Sequence, residues 1–261
     1  MGAVDIVLTL VSGGLIGLVL GLVGGGGSIL AVPLLVYVVG VQSPHVAIGT
    51  SAVAVALNAL AGLLGHARSH NVRWQCAIAF ALSGALGAGL GAQAGKAFDG
   101  ESLLGLFGVL MVVVGGLMLR GRTADENAMV RMTWQNAGSM LLRILPTGLA
   151  VGLLAGFFGI GGGFLIVPGL MFATGMPIGL AIGSSLVVIT ALGATTAGSY
   201  AMSGLVDWQL VMWLVGGGIA GSILGRRLGR LLLERKRVLE VGFAGLVTTI
   251  GIAVIGEALV S

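Results

Sequence analysis

The sequence predicts an all-α polytopic membrane protein made of two inverted-topology repeats. Each repeat reads as a broken or re-entrant helix hairpin followed by three transmembrane helices, giving roughly eight to ten membrane segments in all. Three observations lead there: the composition, an internal repeat, and the placement of the basic residues. The chain has 261 residues, 57% of them hydrophobic and 8% charged, with mean hydropathy +1.10. Soluble domains carry about 25% charged residues. Apolar runs of about 20 residues recur along the chain, the length that crosses a hydrocarbon core of about 30 Å. The runs are continuous and do not alternate, which excludes a β-barrel.

The repeat is read by laying "GLVLGLVGGGGSILAVPLL" (17–35) over "GLLAGFFGIGGGFLIVPGL" (152–170). Gly17, Gly21, Gly24, Gly26, Gly27 and Pro33 then meet Gly152, Gly156, Gly159, Gly161, Gly162 and Pro168. After a one-residue slip "AIGTS" (47–51) meets "AIGSS" (181–185), and Trp74 meets Trp208. Gly84, Gly87, Gly91 and Gly95 continue onto Gly218, Gly221, Gly225 and Gly229. Glycines, prolines and a tryptophan in one register mark two copies of one unit.

Each copy divides into five helical segments. In copy one they are 6–23, 28–40, 46–65, 74–95 and 102–119; in copy two, 140–158, 164–175, 180–201, 208–228 and 239–256. The repeats therefore occupy 1–120 and 140–261, with a cytoplasmic linker at 121–139. The second segment of each copy is short for a full crossing. At the N-terminus, the stretch up to Val23 has no basic n-region and reads as a retained first membrane segment.

All thirteen Lys and Arg residues lie in or beside the expected loops. Arg68 and Arg73 flank one loop; Arg120, Arg122, Arg131 and Arg143 lie between the copies; Arg226, Arg227, Arg230, Arg235, Lys236 and Arg237 cluster before the last segment. Only Lys96 stands elsewhere, beside Asp99 and Glu101. The positive-inside rule makes the three basic regions cytoplasmic and both termini extracytoplasmic. That assignment closes only if copy one begins outside, copy two begins inside, and the first two segments of each leave and return to the same side. The copies are then inverted, the arrangement typical of secondary transporters. The net charge of +4 and pI of about 10.0 are topology signals on this reading, and no nucleic-acid partner is implied. The partners are the lipid bilayer and a small anion, and a homodimer is compatible with the reading.

Candidate binding residues follow from what a helix break in lipid requires. An unpaired backbone group there costs several kcal/mol, so a break is tolerated only beside protein or a wet cavity. Gly24, Gly25, Gly26 and Gly27, and again Gly159, Gly161, Gly162 and Gly163, allow a sharp turn through positive φ. A short helix then starts near Ser28 or Phe164, with Pro33 or Pro168 in its early turns. Its free N–H groups and positive dipole end suit an anion. Thr50, Ser51, Ser184 and Ser185 supply hydroxyls at the start of the third segment of each copy, and Asn58 is a mid-segment amide whose copy-two counterpart is Leu192. His45, next to Pro44, is a candidate proton-linked group. The glycines spaced by four in segment four are read as close-packing contacts. His66 and His70 are spaced for a metal, but a third ligand is missing. No cofactor is implied, and no catalytic carboxylate pair, Cys/His cluster or nucleophile–base pair is present, so the chain reads as no enzyme. The sole cysteine, Cys76, excludes an intramolecular disulfide.

These motifs resemble a known family. "GIGGGFLIVPGL" (159–170), "GLVGGGGSILAVPLL" (21–35), the "AIGTS"/"AIGSS" pair and "GSILGRRLGRLL" (221–232) look like the sulfite exporter TauE/SafE family, over nearly the whole chain. The resemblance implies export of a small sulfur-containing or organic anion, such as sulfite, sulfoacetate or a related sulfonate, across the bacterial inner membrane. Copy one departs from the motif, with Gly25 where copy two has Ile160 and Ser28 where it has Gly163, so the half-sites are expected to contribute unequally. The rival readings are an anion-selective channel and a non-catalytic membrane accessory subunit.

Overall fold

The computed structural model describes residues 2–23, 25–68, 71–119, 137–159, 163–231 and 236–258. Among them ten helical segments follow one another and no strand occurs. They are α1 (Ala3–Val23), α2 (Gly25–Val38), α3 (Pro44–Arg68), α4 (Trp74–Ala97), α5 (Gly100–Leu119), α6 (Ala137–Phe157), α7 (Gly163–Thr174), α8 (Ile178–Met202), α9 (Trp208–Leu231) and α10 (Lys236–Ala258). Every one falls within a few residues of a segment read from hydropathy. Six of them are long and apolar enough to cross a membrane: α1, α3, α4, α6, α8 and α9.

The surface is apolar in rows. On α4, Ile78, Leu82, Leu86 and Leu90 succeed one another at every fourth position with 48%, 66%, 70% and 65% of their surface exposed. Residues four apart share a helix face, so this face has lipid rather than protein as its solvent. Buried hydroxyls bond one turn back along their own helix: Thr9 donates to the Asp5 carbonyl and Ser222 to that of Ile219. Such bonds satisfy these hydroxyls without a partner from another helix.

The helices of 3–119 interlock with those of 137–258 rather than standing beside them. α1 packs along α9 and α4 along α6, while α3 packs on α8 and α5 on α10. Contacts rise together along the first pairs. A Cβ on Gly13, Gly17 or Gly21 would strike the backbone of Leu214, Gly218 or Ser222, and one on Gly87, Gly91 or Gly95 would strike that of Leu149, Leu153 or Phe157. α1 therefore runs parallel to α9, and α4 to α6. α3 is parallel to α9 and α4 to α8, through the pairs Thr50–Asp207 and Asn58–Gly218, and Arg73–Ser184 and Gly84–Leu192. α3 and α8 are antiparallel, since Gly49 meets Tyr200 and Gly62 meets Leu186. α5 and α10 are antiparallel too, with Gly108 on Ile255 and Gly115 on Thr248.

Glycine is required along the α1–α9 and α4–α6 seams because the backbones touch there, and small residues are what allow this in membranes. Substituting Gly17→Leu, or its copy-two counterpart Gly152→Leu, should lower the yield of folded protein and its unfolding temperature in detergent. Overpacking of this kind costs about 1–3 kcal/mol or more. Wild-type stability in both variants would contradict the seam.

Two expectations about the breaks are corrected. Gly25, Gly26 and Gly27 do not take positive φ; they open a 3₁₀ helix over Gly25–Leu30, continued by α-helix over Ala31–Pro33 and π-helix over Leu34–Val38. Among the described glycines of the two motifs, only Gly159 is left-handed, at φ +65°. Glycine is needed at Gly25 and Gly27 for a different reason, close backbone approach, as described below. The prolines also sit deeper than a first turn: Pro168 is the sixth residue of α7 and Pro33 the ninth of α2. Proline has no N–H for the ladder, and the wide π-helical turn starts at the residue after Pro33.

Candidate functional site

The short helices α2 and α7 begin against each other. A Cβ on Gly25 would fall on the Gly163 carbonyl, and one on Gly163 would fall on the Gly25 carbonyl. Only two glycines let the backbones come this close. Gly27 is likewise pressed on α1, where a Cβ would lie 2.6 Å from the Leu20 nitrogen. Every residue of Gly25–Leu30 is buried, and so are Gly163 and Phe164. A 3₁₀ helix leaves its first three N–H groups without an acceptor in the helix and an α-helix its first four. The junction thus gathers the donor-rich, electropositive ends of two helices.

Ser28 explains the departure between the copies. Its hydroxyl donates to the Gly25 carbonyl at 2.9 Å, and its Oγ lies 2.6 Å from where a Gly163 Cβ would stand. Serine in one copy fills the space that glycine leaves in the other. Behind the junction, the turn after α6 reaches left-handed Gly159, whose N–H donates to the Gly156 carbonyl and whose open side is filled by Ile48 of α3. Phe157 and Phe158 wedge this end against Phe98 and Phe107, with ring centroids 5.2 Å and 5.9 Å apart.

The hydroxyl pairs of the third segments divide by position. Thr50 Oγ1 accepts the Asp207 N–H at 3.0 Å, and Ser184 Oγ accepts the Arg73 N–H at 2.9 Å. Each bond ties the third helix of one copy to the residue just before the fourth helix of the other. Ser51 and Ser185 donate to the carbonyls of Ile48 and Ile182, at 2.9 Å and 2.8 Å. All four side chains are fully buried. Among the described residues, neither the Thr50 nor the Ser184 hydroxyl donates its proton, which leaves both able to serve a further acceptor.

Asn58 stands apart from the glycine junction. It lies ten residues beyond Ile48, about 15 Å along the axis of α3 at 1.5 Å per residue. It is buried with its carboxamide against Gly218 of α9, and Oδ1 has no hydrogen-bond partner. Turning the amide over would present the NH₂ at that position, the donor that an oxyanion requires. His45 is half-buried in the first turn of α3, with Nδ1 lacking a hydrogen-bond partner. Gly26 is buried in the first turn of α2, while Gly24, Gly161 and Gly162 lie outside the described residues.

Sequence reasoning missed Arg73 and Asp207 as anchors for the hydroxyls, although the Trp74/Trp208 register already put them at matching positions. It also missed Ile48 and Tyr200, which carry no polar or glycine signature among so many apolar neighbours.

The family model described as Sulfite exporter TauE/SafE matches residues 9–254. The chain belongs to the TauE/SafE family. It is 49% identical over 257 residues to a probable membrane transporter protein of Xylella fastidiosa strain Temecula1, covering 98% of this chain and 97% of the relative. The probable membrane transporter protein YunE of Bacillus subtilis is 30% identical over 253 residues, 89% of this chain and 92% of its own. A probable membrane transporter protein of Methanocaldococcus jannaschii is 27% identical over 187 residues, 70% and 67% of the two chains. No solved structure matches significantly. Family and relatives agree on a membrane transporter, the six long apolar helices fit a multi-pass one, and none of these names describes an enzyme.

Proposed function

We propose that this TauE/SafE transporter is a secondary carrier exporting a small sulfur-containing or organic oxyanion, of the sulfite, sulfoacetate or sulfonate class, across the bacterial inner membrane. The observation that carries the reading is the buried meeting of the α2 and α7 starts at Gly25 and Gly163. α7 has 12 residues, about 18 Å of helix, so its start lies roughly halfway through a core of about 30 Å. Two dipole ends there favour negative charge without a fixed cation, which suits weak binding and release down a gradient. The candidate ligands are the backbone of Gly24–Gly27 and of Gly159 and Gly161–Gly163, with Ser28, Thr50, Ser51, Ser184, Ser185 and Asn58 as side-chain partners.

Alternating access is supported by helix direction. α1 and α3 run with α9, α4 runs with α6 and α8, and α3 opposes α8 as α5 opposes α10. Inverted copies of this kind can exchange conformations to open the site to either side at similar energy. The touching backbones at the junction favour a carrier over an open pore. In proteoliposomes, sulfite or sulfoacetate should show saturable flux and accelerated counterflow. Steady current without exchange would replace the carrier with a channel, and the absence of any anion flux would remove the transport reading of the junction.

Orientation has its own test. Cys76 is buried, so its thiol should resist reagents from both faces. In a Cys76→Ser background, Glu101→Cys should react with an impermeant maleimide on intact cells and Asn71→Cys only after permeabilisation, both positions being exposed. The reverse pattern would turn the protein over and put both termini in the cytoplasm.

A further inference from the structure

Beyond the junction, polar groups gather at the two ends of the α3–α8 pair. At one end, Lys96 in the last turn of α4 reaches α8, where Nζ donates to the Ser199 carbonyl at 3.2 Å and to Ser203 Oγ at 3.0 Å. The same ammonium lies 5.9 Å from the ring centre of Tyr200. Its hydrogen bonds go to this carbonyl and this hydroxyl, and its charge faces this ring. Tyr200 is fully buried, its hydroxyl has no partner, and its Cβ packs on Gly49, next to Thr50 and Ser51. A cation at the surface is thus joined through one aromatic ring to the buried hydroxyl motif.

At the other end, the Arg226 guanidinium of α9 occupies the space over Gly65 of α3, with Nε donating to the Ser222 carbonyl at 3.3 Å. Gly65 and Ser199 are counterparts, being 134 residues apart like Trp74 and Trp208. Because α3 and α8 are antiparallel, the two positions lie at opposite faces of the bundle. Each face therefore holds one half-buried cation at the same place in the repeat, although the cations come from different registers of α4 and α9. A cation near a helix C-terminus also steadies the dipole. Dipole capping alone does not call for the buried, unpartnered Tyr200 hydroxyl beneath Lys96.

We propose that Lys96 and Arg226 are the anion-capture sites at the two mouths of the transport path, each taking a small oxyanion from its own side. Lys96 passes the anion over the Tyr200 hydroxyl toward Thr50 and Ser51; Arg226 receives it along α3 from Asn58. The proposal rests on the oxyanion-carrier reading above. A partly exposed cation raises local anion concentration and capture rate, and salt weakens it.

The test measures sulfite flux separately from each face, in right-side-out and inverted vesicles. Lys96→Gln keeps an NH₂ donor for Ser199 and Ser203 but removes the charge, and Arg226→Gln does the same for Ser222. Lys96→Gln should raise the ratio of KM on the Lys96 face to KM on the Arg226 face by about three- to tenfold, one screened charge contact, and Arg226→Gln should lower it similarly. Lys96→Arg and Arg226→Lys should restore the ratio. In the wild type, KM on both faces should rise with ionic strength, a reading that needs no variant to fold. Flux with an unmoved ratio, equal changes on both faces, or salt-independent KM would overturn the capture sites and leave the carrier standing. No sulfite or sulfoacetate flux in the wild type would instead remove the oxyanion reading itself.

Discussion

Replacing Asn58 with leucine should give a transporter that is harder to unfold and much slower. A buried polar group without a partner costs about 1–3 kcal/mol, which an apolar side chain of similar shape recovers. The other copy already supplies the precedent. Leu192 occupies the counterpart position, and its Cδ1 lies 2.9 Å from where a Cβ of Gly84 would stand, as Asn58 meets Gly218. The unfolding midpoint in detergent should therefore rise. Flux should fall about tenfold or more, the worth of one hydrogen bond to a charged ligand. A stabilised variant with unchanged flux would take Asn58 out of the path, and a destabilised one would mean that the amide is satisfied.

Alanine at Gly25 or Gly163 should have the largest effect on transport of any single methyl in the protein. Either methyl would sit on the opposing carbonyl, so the α2 and α7 starts must separate and lose their shared focus of N–H groups. Overpacking of a tight contact costs about 1–3 kcal/mol, and a displacement of about 1 Å at a binding site costs about 100-fold in rate. The measurement is sulfite flux per folded protein, with Gly179→Ala as the control because a Cβ there meets open space. Wild-type flux in both junction variants would place the anion elsewhere. Ser28→Ala removes the hydroxyl's bond to Gly25 together with one candidate anion partner, without displacing the two helix starts, and should fall between the two extremes.

Segment count, segment limits and the pairing of motifs were legible because lipid imposes a simple rule: about 20 apolar residues per crossing, with cations in the loops. The short second segments were legible as well, from glycine clusters followed by proline. What failed was the backbone state inside the first cluster. Glycine permits positive φ but also permits contact, and sequence does not distinguish the two uses at Gly25 and Gly27. The hydroxyls of Thr50 and Ser184 were visible, yet their partners were not. A backbone N–H just before a helix more than 100 residues away leaves no mark in composition. Asn58 was found because a carboxamide is rare in such a segment, but its distance from the junction depends on packing that no pattern encodes.

The seam between α1 and α9 also sets a timetable for synthesis. Gly17 and its partner Gly218 are 201 residues apart in the chain. At about 5–20 residues/s the ribosome takes roughly 10–40 s to deliver the second after the first. During that interval α1 lies in the bilayer with its glycine-lined face uncovered, and α4 waits in the same way for α6. The first half of the chain is therefore not a folding unit, and a truncation after α5 should be degraded rather than accumulate as a half-sized product.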